Sequence, residues 1–120
     1  MIKKTITYTD FNGDERTEDH YFHLSKAEIT EMEVSYEKGL TDHIEKIVEA
    51  EDSAEIIEVF KLLIRKSYGV RSEDGRRFIK KKEDLEEFMS TGAYSELFME
   101  VGFDAEAAAQ FINGVMPKGL

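Results

Sequence analysis

The stretch that most constrains this chain runs from Ser53 to Ser67, SAEIIEVFKLLIRKS. Ile56, Ile57, Phe60, Leu63 and Ile64 recur at the spacing of one helical face. Val59 and Leu62 carry apolar character onto its flanks. A helix that is apolar around most of its circumference needs cover from several neighbours. It falls short of the ~20 residues that cross a bilayer, so the rest of the 120-residue chain must provide that cover. A chain of this length forms one domain and can bury roughly two-thirds of its unfolded surface.

Residues 1–24 read as a β-hairpin. Ile2, Ile6 and Tyr8 share one face at period two, with Lys4 the polar exception, and Phe22 and Leu24 share a face with His20. Between the runs lies Asp10-Phe11-Asn12-Gly13-Asp14, in which Asn-Gly is a strong turn signal. A two-residue Asn-Gly loop sets Ile6 opposite Asp19 and mixes the faces. An Asn-Gly-Asp loop sets Ile6 opposite His20 and brings Phe22 and Leu24 onto the Ile2/Ile6/Tyr8 face. A slip of one residue exchanges the two faces, so the odd-length loop is expected.

Helix follows. Ser25-Lys26-Ala27-Glu28 is a capping box with Leu24 as its hydrophobic staple. Ile29, Met32 and Tyr36 continue that helix, and Gly39 closes it. A second helix over about 41–50 turns Ile44, Ile47 and Val48 inward and Glu45 and Glu49 outward. Glu51-Asp52-Ser53 interrupts it, with Ser53 as N-cap of the apolar helix. Tyr68-Gly69 ends that helix, and Ser72-Glu73-Asp74-Gly75 is a turn. Three short helices then carry Leu85/Phe88/Met89, Tyr94/Leu97/Phe98/Val101 and, after an Asp104 N-cap, Ala108/Phe111/Ile112/Val115. Asn113-Gly114 and Pro117 stop the last one. The expected class is α+β, mainly α: an N-terminal β-hairpin followed by about five to six helices packed around helix 53–67. The single domain 1–120 divides into the hairpin (1–24), a helical core (25–67), a basic turn region (68–82) and short C-terminal helices (83–116).

Charge narrows the choice of function. The formal net charge is −10, which opposes general nucleic-acid binding. It is also segregated: residues 15–58 carry −10, residues 61–82 carry +7 and residues 83–109 carry −8. The simplest arrangement lays the basic middle against the acidic flanks of the same chain. A sharper one pairs basic and acidic stripes between copies in a homo-oligomer. The cluster Arg71/Arg76/Arg77/Lys80/Lys81/Lys82 beside Tyr68 and Phe78 is the single feature of nucleic-acid type, and its acidic flanks argue against that use. The N-terminus lacks the apolar segment of a secretory signal, so a soluble cytoplasmic protein is expected.

Residue types for catalysis or metal binding are sparse. There is no cysteine, which removes disulfides, thiolate metal sites and a thiol nucleophile. His20 and His23 fall on opposite faces of a strand, a poor geometry for one metal ion, and His43 sits among acids. Asp10-Phe11-Asn12-Gly13-Asp14 resembles the start of a calcium loop. An EF-hand needs Gly at loop position six and Glu at twelve, where this chain has Glu15 and Tyr21. No phosphate-binding glycine loop, nucleophile elbow or zinc-protease motif occurs in the sequence. Neither enzyme chemistry nor a cofactor is expected.

Four strings resemble a known family: Phe22-His-Leu-Ser-Lys-Ala-Glu28, Tyr68-Gly-Val-Arg71-Ser-Glu-Asp74-Gly75-Arg-Arg-Phe78, Ala93-Tyr94-Ser95-Glu96-Leu97-Phe98-Met99-Glu100 and Ala107-Ala-Ala-Gln-Phe111-Ile112-Asn113-Gly114-Val-Met-Pro117. Together they are similar to the tail assembly chaperones of siphophages infecting Gram-positive bacteria. The resemblance implies a non-catalytic protein that acts in the host cytoplasm and is absent from the mature virion. It implies binding of the tape measure protein, kept soluble until tube subunits polymerise around it, and a longer frameshifted form in many members that contacts tail tube protein. Such a client-binder needs exposed apolar side chains, and methionines adapt to varied partners. Met89, Phe98, Met99, Phe103, Phe111 and Met116 are the candidates, because they exceed what short helices usually bury. Negative charge would keep a loaded complex soluble. The alternative is an acidic inhibitor that mimics DNA before a host DNA-binding protein.

Overall fold

A computed structural model describes residues 1–102 and 104–116, except for the side chains of Thr41, Val48, Ser53, Ala105 and Ala109. The inward placement expected of Val48, the candidate Phe103 and the stop at Pro117 lie outside the described residues.

Strands β1 (Ile2–Thr9) and β2 (Glu15–Phe22) form the expected hairpin. Their register pairs Ile6 with Glu18 and Tyr8 with Arg16. The loop is therefore odd-length as expected, but it is Phe11-Asn12-Gly13, and Ile6 faces Glu18 where His20 was expected. The reason is local. Gly13 has φ +86, the left-handed third position of a three-residue hairpin loop. An Asn-Gly-Asp loop would have forced Asp14 into that conformation. The Asp10 carboxylate fastens the turn by accepting the N–H groups of Asn12 (2.9 Å) and Asp14 (3.0 Å) and Arg16 Nε (2.7 Å). The shift of two residues preserves parity, so Ile6, Tyr8 and Phe22 remain together in the core.

Helix α1 (Lys26–Val34) opens with both bonds of the Ser25/Glu28 capping box. It ends before Gly39, at Ser35, whose N–H bonds to the Met32 carbonyl and whose hydroxyl bonds back to Glu31. Glu31 and Glu33 lie in its last turn with no basic residue, against the preference of the helix C-terminus. Tyr36, beyond that end, stacks on His43 at 4.6 Å. Helix α2 (Leu40–Glu49) buries Leu40 and Ile47. Its C-terminus turns through Glu51 at φ 52, the left-handed position that commonly follows a helix. Helix α3 (Ser53–Ser67) is capped by Asp52, whose side chain accepts the Glu55 N–H, so the cap falls one residue before the expected Ser53.

The expected turn region 68–82 contains a second hairpin. Helix α3 passes without a loop into β3 (Tyr68–Arg71), which pairs with β2, and β4 (Phe78–Ile79) pairs with β3. The result is one antiparallel sheet in the order β1-β2-β3-β4. The Ser72–Gly75 turn connects its last two strands, with Gly75 at φ +73 and Ser72 Oγ donating to Asp74 at 2.6 Å. Gly69 allows the Phe78 ring to lie across its backbone, where a Cβ would collide with that ring and stand 2.9 Å from the Ile79 carbonyl oxygen.

Helices α4 (Lys82–Met89), α5 (Gly92–Val101) and α6 (Ala105–Val115) close the fold. Helices α5 and α6 pack on β1, and α3 packs on α2, α6 and β2. Asp104 caps α6 by accepting the Glu106 and Ala107 N–H groups. Asn113-Gly114 does not stop α6. Gly114 lies inside the helix, and Ile2 of β1 fills the space a side chain there would need, with its Cδ1 2.6 Å from an added Cβ. Phe22 is fully buried at the centre, in edge-on contact with Tyr68, Phe88 and Phe111, while Phe60, Leu63 and Ile64 contribute from α3. The architecture is α+β, mainly α; α3 packs by one face on the common core and leaves Ala54, Glu55, Glu58, Arg65 and Lys66 exposed, so it is not the enclosed central helix expected.

Candidate client-binding surface

The six candidate residues divide by burial. Phe111 is 2% exposed, with Phe22 and Phe60 ring centroids at 5.3 and 5.4 Å, so its ring is committed to the core. Met89, Phe98 and Met116 are half-buried, each packed against the core with part of its side chain open to water. Met99 is 62% exposed, on the opposite side of α5 from the buried Ala93, Leu97 and Val101. Phe98 and Met99 follow each other on α5 but point about 100° apart, the Phe98 ring toward Phe60 and Tyr94 and the Met99 thioether toward water.

Other apolar surface was missed. Phe11 is 91% exposed at the hairpin tip and Val34 is 81% exposed at the end of α1. A groove of about 380 Å³ between α1 and α3 has Met32, Tyr36 and Leu62 in its lining, with Glu31 and Lys66 also beside it. Leu62 sits off the main stripe of α3, and that departure from periodicity was the available signal. Val34 carried a similar one, since it falls between the core positions Ile29 and Met32 and the next turn.

The basic segment neutralises its own chain only in part. Lys80 pairs with Glu28 of α1, whereas Lys61–Glu58 and Lys82–Glu86 are contacts within single helices. Burial of Glu28 opposes its ionisation, but Lys80 and the Ser25 N–H outweigh this and hold its carboxyl below the usual range. Arg71 lies over the Tyr21 ring at 4.4 Å and donates to its hydroxyl at 3.1 Å. Arg65, Lys66, Arg76, Arg77 and Lys81 have no ion pair among the described residues.

The histidines occupy structural positions. His20 lies 3.3 Å from both the Tyr68 hydroxyl and Glu18, with its ring against Phe88. His23 sits edge-on to Phe78 with Nδ1 buried and unpartnered, and burial pushes its pKa down, helped by the N-terminal ammonium and Lys80. Among the described residues no group of three or more histidine, aspartate or glutamate side chains is placed to hold a metal ion. None of their helices is long and apolar enough to cross a membrane.

A small acidic α+β domain with partly open methionine and phenylalanine side chains on its C-terminal helices has the character of a protein-binding module. The family comparison specifies it further. A family model described as phage tail assembly chaperone matches residues 1–120, the whole chain, and the protein belongs to that family. Neither a curated protein nor a solved structure matches it.

Proposed function

We propose that this chaperone binds the phage tape measure protein, keeps it soluble in the host cytoplasm, and helps recruit tail tube subunits without itself entering the mature virion. The role is non-catalytic. Membership of the family supplies the tail-assembly context. The observation that carries the client-binding part is Met99, 62% exposed and next in sequence to the half-buried Phe98 on α5. Met89 and Met116 add further partly open apolar surface on the neighbouring helices. A tape measure protein offers long apolar helical surface, and side chains of this kind meet such a surface by filling the spaces along its apolar stripe. The surplus of negative charge repels other loaded complexes.

Co-expression with the tape measure protein from the same phage tests this directly. Soluble recovery of the client is expected to rise with the chaperone present and to fall when Met99→Asp replaces the wild type. Unchanged recovery with and without the chaperone refutes the reading.

A further inference from the structure

Strand β2 is paired unevenly. All eight of its residues face β1, but only Tyr21 and Phe22 pair with β3. Beyond Tyr21 the two strands part, leaving a cleft of about 390 Å³ whose lining includes Asp19, Tyr21, Val70, Arg71 and Glu73. The Asp10 N–H bonds to the Asp14 carbonyl at 2.8 Å, and the alternation of an antiparallel ladder follows from that pair. Even-numbered residues of β2 turn their backbone groups toward β1. Thr17 and Asp19 therefore turn theirs away from β1, Asp19 into the cleft and Thr17 onto the open strand edge that continues beyond it.

We propose that this cleft accepts an extended segment of a partner protein, added as a strand along residues 15–19 of β2, with basic side chains alternating with small apolar ones. Two features set that chemistry. Glu15, Asp19 and Glu73 are exposed and have no lysine or arginine partner among the described residues. Arg71 is engaged with Tyr21. Val70 is 43% exposed, and Tyr68 and His20 also line the cleft, providing an apolar wall for alternate side chains. The net charge of −10 draws a cationic segment in and repels a polyphosphate. The inference goes beyond client binding at the C-terminal helices, and either can fail without the other.

The test is fluorescence anisotropy of the full chain with a labelled Lys-Val-Lys-Val-Lys-Val peptide, alongside amide hydrogen exchange. The peptide is expected to bind, and to slow exchange at Thr17 and Asp19. Replacing its central valine with proline, which blocks strand pairing but keeps the charge, is expected to weaken binding at least about tenfold. Asp19→Lys should do the same, and so should Thr17→Pro, which removes an outward N–H that β1 does not use. If Thr17→Pro fails to fold by circular dichroism, Asp19→Lys still decides. Absent binding, equal binding of the proline peptide, protection elsewhere, or tighter binding of a single-stranded oligonucleotide overturns the proposal.

Discussion

Replacing Phe111 and Met99 separately by alanine distinguishes core from client surface on two neighbouring helices. Phe111 is 2% exposed and its ring meets Phe22 and Phe60 edge-on. Truncating a buried phenylalanine removes its transfer free energy and leaves a cavity, together about 4 kcal/mol. A domain of 120 residues unfolds with an entropy of about 0.25 kcal/mol/K, so that loss lowers Tm by about 16 °C. Against a total stability of about 6–18 kcal/mol for this length, Phe111→Ala keeps a folded but weakened protein. Met99, 62% exposed, has little burial to lose, so Met99→Ala should cost less than about 0.5 kcal/mol, or about 2 °C. Thermal unfolding followed at 222 nm reads both values, and soluble recovery of the tape measure protein reads function. Phe111→Ala should lower stability first and recovery only as a consequence, while Met99→Ala should lower recovery at unchanged Tm. A Phe111→Ala loss below about 1 kcal/mol, or equal Tm losses for the two variants, refutes this division of roles.

Gly69→Ala should cost about 1–3 kcal/mol, because its Cβ must displace Phe78; faster amide exchange in β3 and β4 than in β1 would locate the damage. His23 is held below its ordinary value in the fold, so the stability its neutral form contributes is complete above about pH 6.5 and is lost as the pH falls through the lower folded value. His23→Asn should therefore flatten the fall in Tm measured between about pH 7.5 and 5. The Lys4–Glu100 bridge, 2.9 Å long with side chains 21% and 54% exposed, should show a coupling below about 1 kcal/mol in a double-mutant cycle and should weaken with salt.

What was legible in the sequence was mostly periodicity and capping. The capping box at Ser25 and the Asp104 cap each act over a few residues and stand where the pattern placed them. The α3 stripe is shifted: Phe60, Leu63 and Ile64 are buried as expected, but Val59 of the flank is buried with them while Ile56 and Ile57 are only half-buried. Parity placed the first hairpin's faces correctly, but the register depended on which residue takes positive φ, and the choice between Gly13 and Asp14 was decided by backbone sterics. The second hairpin was missed because β4 has two residues, too few to show alternation, and because α3 enters β3 without a loop. Gly114 was misread for a different reason. A helix-stopping glycine and a glycine that admits Ile2 look the same until β1 is brought beside α6.

The candidate surface shows the limit of composition more sharply. An excess of methionine and phenylalanine in the C-terminal third indicated apolar surface, but composition assigns no direction to a side chain. Phe98, Met99 and Phe111 are comparably apolar, yet the fold commits the last to the core and leaves Met99 open. The difference arises from helix phase: α5, packed on β1, α4 and α6, turns its Ala93/Leu97/Val101 side inward and Met99 away from it, whereas Phe111 lies on the side of α6 that meets Phe22 and Phe60. On α5, Phe98, one position after Leu97, partly escapes burial, and Met99, two positions after, is 62% exposed. Reading such a surface from sequence therefore requires first fixing the helix phase against its neighbours, and only then asking which apolar residues remain off phase.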